Sequence, residues 1–325
     1  MTCNEAQLVK WIKLGNVKGL GPRKIQQLID EFGSIDRIFE ASPKELLGVR
    51  AFKEAMLPEW NQLLEASDEN FLRSIREASS QNIQIIPLID EKYPAKLKRM
   101  PSPPLTLYLW GNTSLLDKTP KIAIVGTRQP SDNARQLAFE YSKYLAEFGM
   151  TVVSGGAEGI DTAVHEGVLA SVSGKTISVL GTGFFHYYPP KNAPLFEKIR
   201  MSDGLLISEY SPNFRGSSFS FLQRNRITSG LSDALLICAS NEQGGSMHQT
   251  RTASEQRIPI FCPAVEMNIL PNSGITYAIR EFGAQEIHTP QELLSKLQAV
   301  LLETSQNLQT KDLTLHHTTD DQAIR

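Results

Sequence analysis

Apolar residues recur at one spacing in the first quarter of the chain and at another in the rest. Up to about residue 80 they repeat every three or four positions, as in helices that bury one face. From residue 121 onward, runs of β-branched and other apolar residues alternate with helical stretches. Such alternation is typical of a parallel sheet whose strands are joined by right-handed helical crossovers. The pattern therefore predicts an α/β protein with a doubly wound, mostly parallel sheet, preceded by a small all-helical domain.

The same pattern divides the chain into four predicted parts. We expect a helical domain at residues 1–80, an extended connecting segment at 81–120, the sheet domain at 121–303 and a disordered tail at 304–325. Four prolines between residues 94 and 104 exclude a continuous helix in the connecting segment, where LTLYLWG predicts an edge strand that joins the sheet. The tail is polar and lacks periodicity, which is typical of disorder.

Within the sheet domain, the bounds of each element follow from the apolar runs and the turn residues that end them. The predicted strands are 121–125, 151–154, 176–180, 205–208, 234–238 and 258–261. The predicted helices are 133–148, 160–170, 194–201, 222–230, 246–256, 275–282 and 290–302.

The first two helices of the helical domain are separated by the segment VKGLGP, from Val17 to Pro22. Its glycines suit a tight hairpin, and its proline suits the first turn of the next helix. The segment resembles a helix-hairpin-helix or SAM-like module, which in many proteins presents backbone N–H groups to a DNA phosphate. The alternative is a tight helical connection in a protein–protein module. Charge favours this alternative, because residues 1–69 carry nine basic and eleven acidic side chains.

Charge and cysteine usage limit the classes of function. The 33 lysines and arginines are balanced by 35 aspartates and glutamates, which gives a net charge of −2. A protein that coats nucleic acid is normally basic, so composition alone favours a metabolic enzyme, and any DNA site must concentrate positive charge locally. No apolar run has membrane-spanning length, and MTCNEAQLVKWIKL lacks the apolar core of a signal peptide. Three cysteines without metal-ligand spacing predict a cytoplasmic protein without a metal site, with Cys238 and Cys262 as buried reduced thiols.

Three consecutive strands end in glycine-bearing turns, which read KIAIVGTR, TVVSGGAEGID and TISVLGTG. Glycine lets the backbone approach a phosphate, and the helix that follows directs its free N–H groups at an anion. Because the carboxyl ends of parallel strands share one edge of the sheet, these turns predict an anion-binding rim. Gly126 and Gly181 belong to the first and third turns. Thr127 offers a hydroxyl, and Arg128 offers a guanidinium that suits phosphate unless it is only a surface arginine beside the turn.

The second turn, Ser154-Gly155-Gly156, opens a helix that carries Asp161 and His165. Their i, i+4 spacing places both side chains on one helix face. They form either a general acid–base pair or a local hydrogen bond that fixes the helix. The three-glycine spacing of a dinucleotide fingerprint is missing, so we expect no nicotinamide cofactor.

Two later loops offer further ligand contacts. The segment YYPPKN places Lys191 and Asn192 beside two tyrosines, which suits stacking on bases and pairing with phosphate. The alternative is that its aromatic rings pack the loop onto the sheet. The segment GGSMHQT follows a strand and contributes Gly245, Ser246 and Thr250 to a second anion nest or to an ordinary capped helix start.

The densest cationic and aromatic cluster of the sheet domain is Arg224-Asn225-Arg226, which follows FSFLQ near the start of a helix. Two solvated arginines on a helix face are the general expectation. Apolar residues on both sides of the cluster favour a buried role, or one lining the rim, in this chain.

The ordered series of these motifs resembles one family. VGTR, VSGGAEGIDTAVH, SVLGTG with YYPPKN, ISEY, RNRITSGLS and GGSMHQTRTASEQ together resemble the DNA-processing protein A family, also called Smf, over roughly residues 93–284. The resemblance implies a Rossmann-like domain that binds single-stranded DNA, is not an enzyme and uses no cofactor. It also implies a homodimer that protects incoming strands and helps to load the RecA recombinase during natural transformation.

The family's cationic pocket maps onto Arg128, Lys191, Arg224 and Arg226, with the SGGA and GGS turns along the same rim. The chain departs from the family pattern in two loops. It has LQ where a proline usually precedes the RNR segment, and CPA where the family usually has VPG. We expect the winged-helix-like module of many members to be absent, because only about twenty polar residues follow the last predicted helix.

The competing prediction is an enzyme of the same superfamily, a LOG-type nucleotide phosphoribohydrolase with the motif GG-x-GT-x-x-E. Gly244-Gly245-Ser246 resembles the start of that motif, but Met247 replaces its threonine-bearing segment and Glu255 lies too far along the helix. A structural scaffold without a ligand is the third possibility.

Overall fold

The computed structural model describes residues 4–117 and 120–303. The N-terminal part is all-helical, as predicted, with α1 (Glu5–Gly15), α2 (Pro22–Phe32), α3 (Ile35–Glu40), α4 (Pro43–Gly48), α5 (Leu57–Glu65) and α6 (Glu69–Ser80). The sequence pattern marks α1, α2, α3 and α6 but neither α4 nor α5; α4 has only six residues, and a capping box between Ser42 and Glu45 defines its start. Cys3 and the predicted disordered tail at 304–325 lie outside the described residues.

One sheet of nine strands forms the rest of the fold, in the order β1-β2-β6-β5-β4-β3-β7-β8-β9. The strands are β1 (Gln84–Pro87), β2 (Thr106–Gly111), β3 (Lys121–Val125), β4 (Thr151–Ser154), β5 (Lys175–Leu180), β6 (Leu205–Ser208), β7 (Ala234–Ile237), β8 (Ile260–Pro263) and β9 (Gln285–Ile287). Neighbouring strands are parallel except in the two pairs that involve β2. The doubly wound, Rossmann-like α/β architecture is confirmed.

Helices connect and cover these strands. They are α7 (Ala95–Lys98), α8 (Asp132–Glu147), α9 (Ile160–Leu169), α10 (Ala193–Met201), α11 (Ser218–Gly230), α12 (Gly245–Glu255), α13 (Ser273–Phe282) and α14 at residues 290–303. Helix α11 begins four residues before its predicted start. There the Ser217 hydroxyl accepts the backbone N–H of Ser220, and the Ser220 hydroxyl accepts that of Ser217.

The prediction that LTLYLWG forms an edge strand is wrong. Strand β2 pairs with β1 on one side and β6 on the other, and β1 is the edge. The reason is burial on both faces, since Leu107 and Leu109 enter one hydrophobic cluster and Tyr108 enters another. The connecting segment therefore supplies two strands of the sheet. The boundaries at residues 80 and 120 stay predictions.

The helical domain and one face of the sheet share a continuous hydrophobic cluster, in which Trp11 and Trp60 join Leu107, Val153 and Ile177. The helices are thereby fixed to the sheet by apolar burial. No helix in the described part of the chain is long and apolar enough to cross a membrane.

Cys238 and Cys262 are buried free thiols, as predicted, and burial raises the pKa of both. Both are therefore protonated at neutral pH and packed as small apolar groups.

The chain winds outward from β3 through β4, β5 and β6, and returns to the other side of β3 with β7. Sheets of this kind bind ligands where the strand order reverses, outside the carboxyl ends of the two strands. A ligand site is therefore expected at the turns after β3 and β7.

Candidate functional site

A cleft of about 650 Å³ opens at the carboxyl ends of β3 and β7. A narrower pocket of about 250 Å³ extends from it beneath the turns after β4 and β5. The two share Arg128, Arg224, Tyr188 and Phe221 as lining residues, and we call them together the glycine cleft. The predicted site residues that line it are Gly126, Thr127, Arg128, Gly156, Gly181, Arg224, Asn225, Gly245 and Ser246.

Close packing between the turn after β3 and the start of α9 gives the cleft its wall. The N–H of Thr127 donates to the carbonyl of Ala239, and the Thr127 carbonyl accepts the N–H of Ile160. A Cβ on Gly126 would lie 2.6 Å from the side chain of Ile160, and one on Gly159 would lie 2.5 Å from the Thr127 carbonyl oxygen. These glycines are needed because protein atoms already occupy the space that a side chain would take.

Arg224 is the cation at the centre of the cleft. Its side chain lies against Gly155, where a Cβ would come within 1.7 Å of Nη1. The residue is only 7% exposed, and its Nε and Nη1 have no hydrogen-bond partner within residues 4–117 and 120–303. Burial lowers the pKa of Arg224 and raises the pKa of its neighbour Asp161, while the opposite charges favour the ionised form of each. Because buried donors normally have partners, these two nitrogens are suited to an anionic ligand.

A second unpartnered donor lines the same cleft. Gln249 is buried in α12, and its Nε2 has no hydrogen-bond partner in the part of the chain that the structure describes. Sequence reasoning missed it, although Gln249 follows Gly245 by four positions and so lies on the same helix face. Asn225, in contrast, has a partner, since its Nδ2 donates to the Gly245 carbonyl at 3.4 Å and links α11 to α12.

The two tyrosines of YYPPKN have different roles. Tyr188 is half exposed, lines the cleft and has its ring 5.0 Å from that of Phe221. Tyr187 packs the loop onto the sheet domain, because its hydroxyl donates to Glu197 at 2.8 Å and its ring lies 5.0 Å from that of Phe196. The ring of Tyr188 is therefore accessible for stacking with a ligand.

Lys191 and Asn192 do not line the glycine cleft. They border an adjoining groove of about 430 Å³, which meets the cleft at Arg128. Lys191 is exposed there. Asn192 is buried, and its Nδ2 donates to the carbonyl of Gly156 and to the hydroxyl of Thr162, both at 2.9 Å. Asn192 thus holds the turn after β4 in place.

Two predicted site residues lie beneath the cleft surface. The hydroxyl of Ser154 donates to the Ile124 carbonyl at 2.7 Å, and that of Thr250 donates to the Ser246 carbonyl at 2.9 Å. Both residues are fully buried. The prediction that both residues lie on the binding rim is therefore wrong, because each hydroxyl donates its hydrogen bond to a backbone carbonyl of the protein.

Arg226 lies on the other side of α11, away from the cleft. Its Nη1 and Nη2 donate to the two carboxylate oxygens of Glu209 at 2.7 and 2.6 Å, and its Nε donates to the Ser102 carbonyl at 3.0 Å. The prediction that it joins Arg224 is wrong, because residues two positions apart point to opposite sides of a helix.

The hydrogen bonds of Asp161 and His165 go to other groups rather than to each other. His165 is buried, with Nδ1 2.8 Å from the Thr176 hydroxyl and Nε2 2.9 Å from the Gly155 carbonyl oxygen. Burial lowers its pKa to about 4, so the ring is neutral at pH 7. The structure supports the alternative, in which local hydrogen bonds fix this part of the fold.

Residues 84–298 match the family model of DNA recombination-mediator protein A. The chain is 33% identical over 295 residues to protein Smf of Synechocystis, which covers 90% of this chain and 73% of that protein. Its fold is similar to the X-ray structure of DNA processing protein A from Streptococcus pneumoniae, with a TM-score of 0.76 and 26% identity over 91% of this chain and 98% of that one. DNA processing protein A from Helicobacter pylori, whose structure is described as giving insight into a unique single-stranded DNA binding mode, is similar with a TM-score of 0.60 and 31% identity over 67% of this chain and 98% of that one.

Proposed function

Because the chain belongs to the DNA recombination-mediator protein A family, we propose that it binds single-stranded DNA in the glycine cleft and processes DNA during natural transformation. The observation that carries this proposal is the buried guanidinium of Arg224, whose Nε and Nη1 have no partner among the described residues. A phosphate oxygen accepts hydrogen bonds from such donors and supplies the opposite charge.

Other groups of the cleft suit the neighbouring parts of a strand. Arg128 is exposed at the junction of the cleft and the adjoining groove, where Lys191 offers a second cation to the next phosphate. A Cβ on Gly245 would have no atom within 4 Å, so a phosphate has room to approach the first turn of α12. Tyr188 and Phe221 present rings on which bases stack without regard to sequence.

The proposal extends to assembly and partners. The protein acts in the cytoplasm as a homodimer, protects incoming single strands and helps to load RecA. Each protomer contacts a few nucleotides, and affinity for long strands comes from several protomers bound side by side. Sedimentation of the protein alone, and RecA filament formation with and without it, test these parts separately.

We further propose that the protein is not an enzyme. The phosphoribohydrolase alternative needs the glutamate of its motif close to the glycine turn. Glu255 is the last residue of α12, about 15 Å along the helix axis from Gly245. Release of free base from nucleoside monophosphates at a sustained rate would contradict the proposal.

The test is a fluorescence anisotropy titration of a labelled single-stranded oligonucleotide at several salt concentrations. Replacing Arg128 by Ala should weaken binding about ten-fold at low salt, because one charged phosphate contact is lost. It should also reduce the slope of log affinity against log salt by roughly 0.7, the contribution of one phosphate contact.

Arg280→Ala is the matched control. Arg280 is 66% exposed on α13 and does not line the cleft, so this variant has the same change in net charge and should bind like the unchanged protein. If the unchanged protein fails to bind the oligonucleotide at low salt, the proposed function is wrong.

A further inference from the structure

A second cavity, of about 610 Å³, lies between the helical domain and the sheet. Helices α1 and α6, the hairpin before α2, strand β2 and the loop after β6 contribute to its walls. We call it the inter-domain cavity. Arg226 of α11 lines it, so this helix separates it from the glycine cleft.

The hairpin at this cavity does not offer a free row of N–H groups to a phosphate. The N–H of Lys18 donates to the Glu59 carboxylate at 2.6 Å. Those of Asn16, Val17 and Leu20 donate to nearby backbone carbonyls. These bonds favour the structural role of the hairpin, as a connection that helps to shape the cavity.

Aromatic side chains form much of the cavity wall. They are Trp11, Phe71, Tyr108, Tyr210 and Phe214. The rings of Tyr210 and Phe214 are stacked, with centroids 4.5 Å apart and planes 20° from parallel. Such walls suit a flat ring, because ring faces gain most contact with another ring.

Two residues of the cavity lining each carry a buried polar atom that has no partner among the described residues. The atoms are Nε1 of Trp11 and Oγ1 of Thr106, in residues that are 1% and 6% exposed. An indole N–H only donates, whereas a hydroxyl both donates and accepts. Buried polar atoms normally have hydrogen-bond partners. A ligand that satisfies both atoms carries an acceptor for the indole and a donor or acceptor for the hydroxyl.

The inter-domain cavity has no net charge to offer a phosphate. Among its described lining residues only Arg226 and Glu209 are charged, and they neutralise each other through two hydrogen bonds of 2.7 and 2.6 Å. This distinguishes it from the glycine cleft, where Nε and Nη1 of Arg224 lack partners among the described residues. The inter-domain cavity therefore favours an uncharged ring.

From these observations we propose that the inter-domain cavity binds an uncharged heteroaromatic ring of the nucleobase class. The ring stacks on the aromatic wall, and its polar edge meets the Trp11 indole and the Thr106 hydroxyl. The ring belongs either to a free nucleoside or to an unpaired base of a strand, since both present the same faces and edges.

The test is isothermal titration of the full chain with each of the four deoxynucleosides at millimolar concentration. At least one should bind saturably with one-to-one stoichiometry. Thr106→Val keeps the shape of the side chain and removes the hydroxyl, while Trp11→Phe keeps an aromatic ring and removes the N–H. Each should weaken binding about three- to ten-fold, because one buried hydrogen bond is lost.

Arg128→Ala separates this proposal from the proposed function. It should leave nucleoside affinity unchanged while it lowers oligonucleotide affinity, and Thr106→Val keeps the experiment decisive if Trp11→Phe does not fold. The proposal is overturned if no deoxynucleoside binds saturably, or if both cavity variants bind as well as the unchanged protein. The cavity would then hold only water.

Competition identifies the source of the ring. With nucleoside bound, an added oligonucleotide that displaces it assigns the site to a base of the strand. An oligonucleotide that binds without displacing it assigns the site to the free nucleoside. Either result supports the proposed ring site.

Discussion

Arg224 and Arg226 lie two positions apart on α11, yet their surroundings differ. Arg226 has both carboxylate oxygens of Glu209 as partners, so its charge is used within the protein. Arg224 has the buried carboxyl of Asp161 nearby, but its Nε and Nη1 have no partner in the described ranges of the chain. The paired arginine holds the fold together at the inter-domain cavity, whereas Arg224 lines the cleft with two donors that the described residues leave unused. The hydrogen-bond partners of an arginine, rather than its residue type, therefore distinguish a structural cation from a binding one.

The largest expected effect comes from removing the paired arginine. Arg226→Met leaves the largely buried Glu209 carboxylate without its partner, which should cost roughly 3–5 kcal/mol of unfolding free energy. Chemical denaturation measures the loss. Arg224→Met should lower DNA affinity more than Arg226→Met does. If Arg226→Met impairs DNA binding and Arg224→Met does not, the comparison is wrong.

Acid provides a second test, at His165 of α9, whose pKa is lowered by burial and also by the charge of Arg224. Burial lowers the pKa of His165 to about 4 in the folded protein, against about 6.5 in an unfolded chain. Between these values the unfolded chain takes up a proton that the folded protein does not, so stability falls as pH falls. The total is about 3 kcal/mol, fully present above pH 6.5 and lost as pH falls through 4.

The control for this loss of stability in acid is His165→Gln, whose unfolding free energy is measured by denaturation from pH 7 to pH 4. The raised pKa of Asp161 has the opposite effect, because that carboxyl binds protons more readily when folded. This effect is present in both proteins, so the difference between them isolates the imidazole. Equal pH dependence in the two proteins would show that His165 is not the cause.

The smallest expected effect tests how closely Arg224 rests on the turn after β4. Gly155→Ala places a Cβ within 1.7 Å of Nη1 of Arg224 and 2.4 Å of Oδ2 of Asp161. We expect a stability loss of about 1–2 kcal/mol from overpacking, with weaker DNA binding as the guanidinium is displaced. Gly48→Ala is the control, because a Cβ there meets no atom within 4 Å. Normal DNA binding by Gly155→Ala would show that the position of Arg224 is not critical.

Strand positions were predictable where burial leaves a continuous apolar run. The bounds of β3, β4 and β6 agree with the sequence prediction, because each run is buried along its whole length and ends at a turn residue. Strand β9 was missed. It has three residues, and two of them, Gln285 and Glu286, are exposed and polar, so no apolar run marks it.

The site was predictable where function follows from position on the sheet. Gly126 to Arg128 follow a buried strand, and parallel topology brings such turns to one edge. The sequence prediction misplaces Arg226 because it groups residues that are close in the chain. Helical geometry separates Arg226 from Arg224 in space. The missing partner of Gln249 depends on the packing of α11 and α12, which no local pattern specifies.

The cluster that joins Trp11 and Trp60 to Leu107, Val153 and Ile177 bears on any attempt to shorten the protein. A fragment limited to residues 84–298, the stretch that matches the family model, would retain the sheet but lose both indoles. Part of one sheet face would then meet water. Apolar contacts thus cross the border that the sequence pattern places near residue 80, so cutting the chain there would expose apolar surface.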